Sequence, residues 1–123
     1  MQYKLSASDK KHSFDFCKRV LALYDIEFDV NEVTSSSREA EVVFQRLLIA
    51  TILRYEDKTL AYIGSLLNKD HSAICNLLNK HAKGMGRNMR YYKIIQDLKV
   101  KQNFILNEEK INYHQEQIRK LKQ

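Results

Sequence analysis

His71, Ser72, Asn76, Asn79, Lys80 and Lys83 are the residues of this chain whose types and spacing suit a definite chemistry, and it is recognition rather than catalysis. Placed at about 100° per residue, positions 71–83 divide into two faces. Ile74, Leu77, Leu78 and His81 gather on one side, which must meet a core. The other side carries Ser72, Asn76, Asn79 and Lys83, flanked by Cys75 and Lys80, with His71 at its edge. Short hydrogen-bonding side chains near a helix N-terminus can reach base edges in a DNA major groove, while cations further along meet phosphates. An ordinary surface helix with a polar outer face has the same pattern, so spacing alone leaves both readings open.

Catalytic chemistry has little to stand on. The four histidines (His12, His71, His81, His114) are far apart, and no H-E-x-x-H or C-x-x-C occurs. Gly64-Ser65-Leu66-Leu67-Asn68-Lys69 lacks the second glycine of a phosphate loop. No enzyme, metal site or cofactor is expected.

The elements that must position the recognition residues are helical. The chain has 123 residues, 44% of them hydrophobic, with no Pro and only three Gly, which favours long helices over a turn-dense sheet protein. A first helix is expected from about Ser8 to Tyr24, where Phe14, Cys17, Val20, Leu21 and Tyr24 share a face. Residues 25–37 read as a connector with one short turn from Phe28 to Val33. Ser35, Ser36 and Ser37 offer N-caps for the next helix, with Glu39 placed to complete the cap. That helix, 38–55, is apolar around most of its circumference and should be the buried centre; Arg38, Glu39, Glu41, Gln45 and Arg46 gather on one side of its first turns.

Two shorter helices follow, 59–66 and 70–84, with Asn68 suited to the left-handed end of one and Asp70 to the N-cap of the next. Two helices joined by three residues have the connectivity of a helix-turn-helix. After Gly84-Met85-Gly86, Met89, Tyr92, Ile95 and Leu98 could pack a last core helix. The fold class expected is all-α, a small helical bundle spanning 1–101 with a C-terminal helical extension at 102–123. Val100 just before that extension and Phe104, Ile111, Ile118 and Leu121 within it fall on heptad positions, but Asn107 and His114 interrupt them. A docked terminal helix and a homodimer coil both fit.

Charge is distributed unevenly. Residues 25–41 carry six acids (Asp25, Glu27, Asp29, Glu32, Glu39, Glu41) against Arg38. Residues 58–101 carry nine bases against Asp70 and Asp97, a larger excess than the +6 of the whole chain. A concentrated positive field suits a polyanion. No run of apolar residues is long enough to cross a membrane and no leader precedes the first helix, so a reducing, cytoplasmic setting with free thiols at Cys17 and Cys75 is expected.

With Lys69-Asp70-His71-Ser72-Ala73-Ile74 preceded by Leu60-Ala61-Tyr62-Ile63-Gly64, the chain resembles the C-terminal DNA-binding domain (domain IV) of the bacterial replication initiator DnaA. The likeness runs over residues 12–101, backwards through Arg54 and Arg46 to Tyr24-Asp25-Ile26. It implies a Trp-repressor-like helix-turn-helix that binds double-stranded DNA in replication initiation or transcriptional control. Asp70, His71, Ser72 and Asn76 match its major-groove positions. Arg46 matches an arginine that enters the minor groove, so Arg46→Ala would remove a preference for A·T-rich flanks. Leu60 and Ala61 match positions whose backbone meets phosphate, and Arg54 and Lys69 match basic positions near the DNA backbone. Lys80 and Lys83, from the helix pattern, complete the expected phosphate contacts.

The departures bear on the target sequence more than on the fold. Ala73 replaces a Thr, Ala61 a frequent Pro, and Asn68 stands where Gly-Gly is common. The stretch before Arg46 is acidic where the family is basic, and the loop after Arg54 is one residue short. Read from Met1, with no ATPase motif, the chain is expected to be a freestanding DNA-reading domain. The alternative is a protein-interaction module that keeps the fold without binding DNA.

Overall fold

The computed structural model describes residues 4–81 together with 93, 94 and 97. The described residues form five helices and no strand: α1 (Ala7–Ala22), α2 (Val30–Val33), α3 (Ala40–Tyr55), α4 (Leu60–Leu67) and α5 (His71–Asn76), which continues into a π turn (Leu77–His81). This is a small all-α fold, as composition led us to expect.

The central helix is α3. Leu47, Leu48, Ile49, Ala50 and Ile52 are without exposure, and α1, α2, α4 and the π turn all pack on it. Burying each such Leu or Ile contributes roughly 1.5–3 kcal/mol. Phe14, Phe16, Cys17, Val20 and Leu21 come from α1, Val33 from α2, Ile63, Leu66 and Leu67 from α4, and Ile74 from α5. Ile94 also lies in this core. Met89, Tyr92, Ile95 and Leu98, and the whole 102–123 extension, lie outside the described residues.

With few glycines available, the chain ends three helices on Asp or Asn in the left-handed conformation: Asp25 (φ 57), Asp57 (φ 59) and Asn68 (φ 59). Each is followed by a backbone N–H that reaches five residues back, Ile26 to Leu21 O (3.1 Å), Lys58 to Leu53 O (3.0 Å) and Lys69 to Gly64 O (2.7 Å). These bonds occupy carbonyls that a helix end leaves orphaned. Asn68 fills the role its type suggested; Asp25 and Asp57 do the same job.

Two expectations about helix starts change. Ser35, Ser36 and Ser37 do not cap α3. The N-cap residue is Glu39, without a side-chain capping bond. The serines instead brace the preceding turn, with Ser37 N–H donating to Ser35 Oγ (3.2 Å) and Glu39 N–H to Ser37 Oγ (3.3 Å). Within the expected helix 70–84, the described residues are α-helical from His71 to Asn76 and widen into the π turn from Leu77 to His81. A π turn inserts one extra residue, so faces drawn at 100° per residue do not extrapolate beyond Asn76.

Cys17 has no exposure, and burial, with a smaller push from the Glu56 carboxylate, drives its thiol well above the ordinary range. Cys75 is half-buried and accepts a bond from Asn79 Nδ2 at 3.4 Å. Because the thiolate is the reactive form, a thiol-directed reagent added to the native chain is expected to modify Cys75 and to reach Cys17 only on unfolding. Equal labelling of both, located by peptide mass spectrometry, would contradict this burial.

Candidate nucleic-acid interface

The helix pair α4–α5 meets in a tight turn, Asn68-Lys69-Asp70. Thr59 caps α4, its hydroxyl accepting Tyr62 N–H at 3.1 Å. Ile63, Leu66 and Leu67 anchor α4 in the core, and Ile74 anchors α5. The first turn of α5 is thereby fixed with His71, Ser72 and Ala73 all exposed, and Asn76 exposed one turn on. Asp70 is the N-cap residue, exposed, and its carboxylate makes no capping bond, so both oxygens are uncommitted to the helix.

These residues share a groove. Ala61 from the start of α4, Asn68, Lys69 and Asp70 from the turn, and His71 and Ala73 from α5 line one polar cleft of about 610 Å³. Gly64 and Ser65 of α4 also line it, and the wall opposite comes from Lys4, Leu5 and Lys10, at and before the start of α1. Leu5 N–H donates to Ser65 Oγ (3.3 Å), and Ser13 Oγ bonds Tyr62 Oη (2.6 Å), which together hold α1 against α4. Lys4 and Lys10 were not among the residues the sequence singled out. The signal that could have found them is the basic group Lys10, Lys11, Lys18 and Arg19 on the first helix, smaller than the block at 58–101.

Arg46 is the clearest correction. It is 6% exposed, and its guanidinium points into the turn between α2 and α3. Nε donates to Val33 O (2.8 Å), Nη1 to Ser37 O (2.6 Å), and Nη2 to Ser35 O (2.7 Å) and Glu32 O (3.3 Å). Burial pushes its pKa down from the ordinary value. A guanidinium so engaged cannot enter a minor groove without abandoning four carbonyls, so the minor-groove role expected of Arg46 does not fit this fold. The physical reason is the local chain. In a helix this apolar, a polar side chain in the second turn still faces α2, and the partners it finds there are backbone carbonyls.

Lys69 is partly committed in the same way. Its Nζ donates to Ser35 O at 2.6 Å, the carbonyl that Arg46 also uses. Desolvation, then the neighbouring Arg46 charge, lowers its pKa. Two of its three ammonium donors are left for a phosphate. Arg54 is exposed and closes the α3–α4 loop through Nη1 to Lys58 O (2.7 Å), while Lys58 Nζ lies 4.9 Å over the Tyr62 ring. Leu60 is half-buried against the core with Ala61 exposed beside it. Lys80 sits in the π turn; its side chain, like all of Lys83, lies outside what the structure describes.

The structure therefore brings Ala61, Lys69, Asp70 and His71 to one cleft, leaves Ser72 and Asn76 exposed on the same helix, sets Arg54 at the next loop and removes Arg46 to the interior. Among the described residues no helix is long and apolar enough to cross a membrane. No protein-family model, curated protein or solved structure matches the chain.

Proposed function

We propose that this chain binds double-stranded DNA, presenting the first turn of α5 to the major groove, as a DnaA domain IV-like reader in replication initiation or transcriptional control and without ATPase activity. The observation that carries the reading is the shared cleft. The exposed hydrogen-bonding side chains of His71 and Asp70 open onto the same groove as Lys4, Lys10 and Lys69. Base readers beside cations that can take the flanking phosphates are what groove recognition requires. Ser72 and Asn76 extend the polar edge along the helix, and Ala73 offers a methyl group suited to a thymine methyl.

The test is fluorescence anisotropy of the chain on a DnaA-box duplex and a scrambled duplex across a salt series. Site-preferring binding that weakens steeply with log salt is the expected result. His71→Ala and Ser72→Ala are each expected to cost about 1–3 kcal/mol on the preferred site and little on the scrambled one. Unchanged discrimination in His71→Ala would overturn the major-groove assignment. No binding to either duplex at low salt would leave the fold as a protein-interaction module.

A further inference from the structure

The cleft at the helix pair does not stop at α5. A second groove, about 600 Å³, runs beside it between α1 and α2, lined by Lys10, Lys11, Asp15, Lys18, Thr34 and Asn68 among others. Lys10, Ser65 and Asn68 line both grooves, so the two are continuous. Lys4, Lys10, Lys11 and Lys18 are all exposed, against Asp15 in the second groove and Asp70 in the first. Lys11, Asp15 and Lys18 follow one another at four- and three-residue steps, a single stripe along α1. Lys18 Nζ lies 5.9 Å over the Phe28 ring, which steadies its stem at the far end.

We infer that this continuous groove is a phosphate track: the N-terminal segment and α1 grip the backbone of the DNA that α5 reads, through Lys4, Lys10 and Lys18. The inference rests on the DNA-binding reading and assigns it a second contact region. A row of lysines beside a reading helix adds affinity without sequence preference, because phosphates are the same on every duplex. It also explains how a recognition helix of six α-helical residues can be held on DNA, with Arg46 withdrawn from the surface and Lys69 partly spent on Ser35.

Lys10→Gln, the triple variant Lys4→Gln/Lys10→Gln/Lys18→Gln, and Arg19→Gln (one charge removed from α1 at a position lining neither groove) separate the possibilities on the same two duplexes. Lys10→Gln should lower the slope of log affinity against log salt by about one and weaken binding about fivefold at 0.15 M salt, equally on both duplexes. The triple variant should lose two to three in slope and on the order of a hundredfold in affinity, with Arg19→Gln within about twofold of wild type. If wild type binds but Lys10→Gln and the triple match Arg19→Gln, the track is overturned and the DNA-binding reading stands. If wild type binds neither duplex, both fall together.

Discussion

Replacing Arg46 with Ala is expected to cost about 3–5 kcal/mol of folding stability, lowering the melting temperature by roughly 10–20 °C. Four carbonyls accept from that guanidinium: those of Val33 and Ser37, and those of Glu32 and Ser35, which also accept from Ser35 and Lys69 respectively. Hydrogen bonds to a charged donor contribute about 1.5–3 kcal/mol each, and an unsatisfied buried acceptor costs about 1–3. The full sum is not lost, because the partly buried carbonyls of Ser35 and Ser37 can turn to water once the turn loosens. Lys in its place recovers only part of this: three donors on a point charge cannot span carbonyls fanned around a planar fork. Arg46→Lys should still lose about 2 kcal/mol. Urea titration of the two variants checks both figures, and a change in m-value would show that the 32–37 turn has come apart in the native state. Below its melting temperature Arg46→Ala should keep whatever flank preference the wild type has. A variant of near-normal stability that had lost an A·T-flank preference would mean that the guanidinium works outside the fold.

Arg46 also shows where the sequence stops being legible. The helical architecture could be read because it follows from patterns that repeat: the apolar circumference of α3, the single face of α1, the Asn68 turn between two short helices. The fate of a single polar residue depends on what lies opposite it across the fold. Nothing in the 25–41 stretch announced that the backbone of Glu32, Val33, Ser35 and Ser37 would curl its carbonyls toward one point. The serines misled for a related reason, since a hydroxyl that can cap a helix can equally brace a turn, and the choice rests on loop geometry. Asp25 and Asp57 carried a readable signal. Each stands just beyond the last turn of its helix, as Asn68 does, in a chain with few glycines. The candidate site divides along the same line: the reading residues of α5 come from local spacing, whereas Lys4 and Lys10 join them only because α1 folds back onto α4, some 60 residues away in the chain.

The approach of α4 to the start of α5 is set at one atom. A Cβ added at Gly64 would lie 2.5 Å from Lys69 O and 3.4 Å from both Asp70 C and His71 N. The obstacle is backbone, which cannot rotate away as a side chain could. Glycine inside a helix ordinarily costs about 1 kcal/mol relative to alanine, so on propensity alone Gly64→Ala would stabilise α4. The clash must outweigh that gain. Overpacking typically costs about 1–3 kcal/mol, and backbone at this distance puts the cost at the upper end or beyond. A net loss of about 2–3 kcal/mol is expected, with Gly64→Ser close to it because the offending atom is the Cβ itself. The consequence for function follows from which atoms must move. Relieving the contact pushes the Lys69–His71 backbone away from α4 and strains the 2.7 Å bond from Lys69 N–H to Gly64 O. It also displaces the first turn of α5, which carries His71 and Ser72. Binding to the preferred duplex should therefore weaken in Gly64→Ala even at temperatures where the variant is folded, while the sequence-independent contribution of the lysines on α1 stays. Asn68→Gly is the contrasting change: it keeps the left-handed turn open to the backbone and should leave both stability and discrimination within about 0.5 kcal/mol. A Gly64→Ala protein more stable than wild type, with unchanged site preference, would mean that α4 and α5 do not approach this closely.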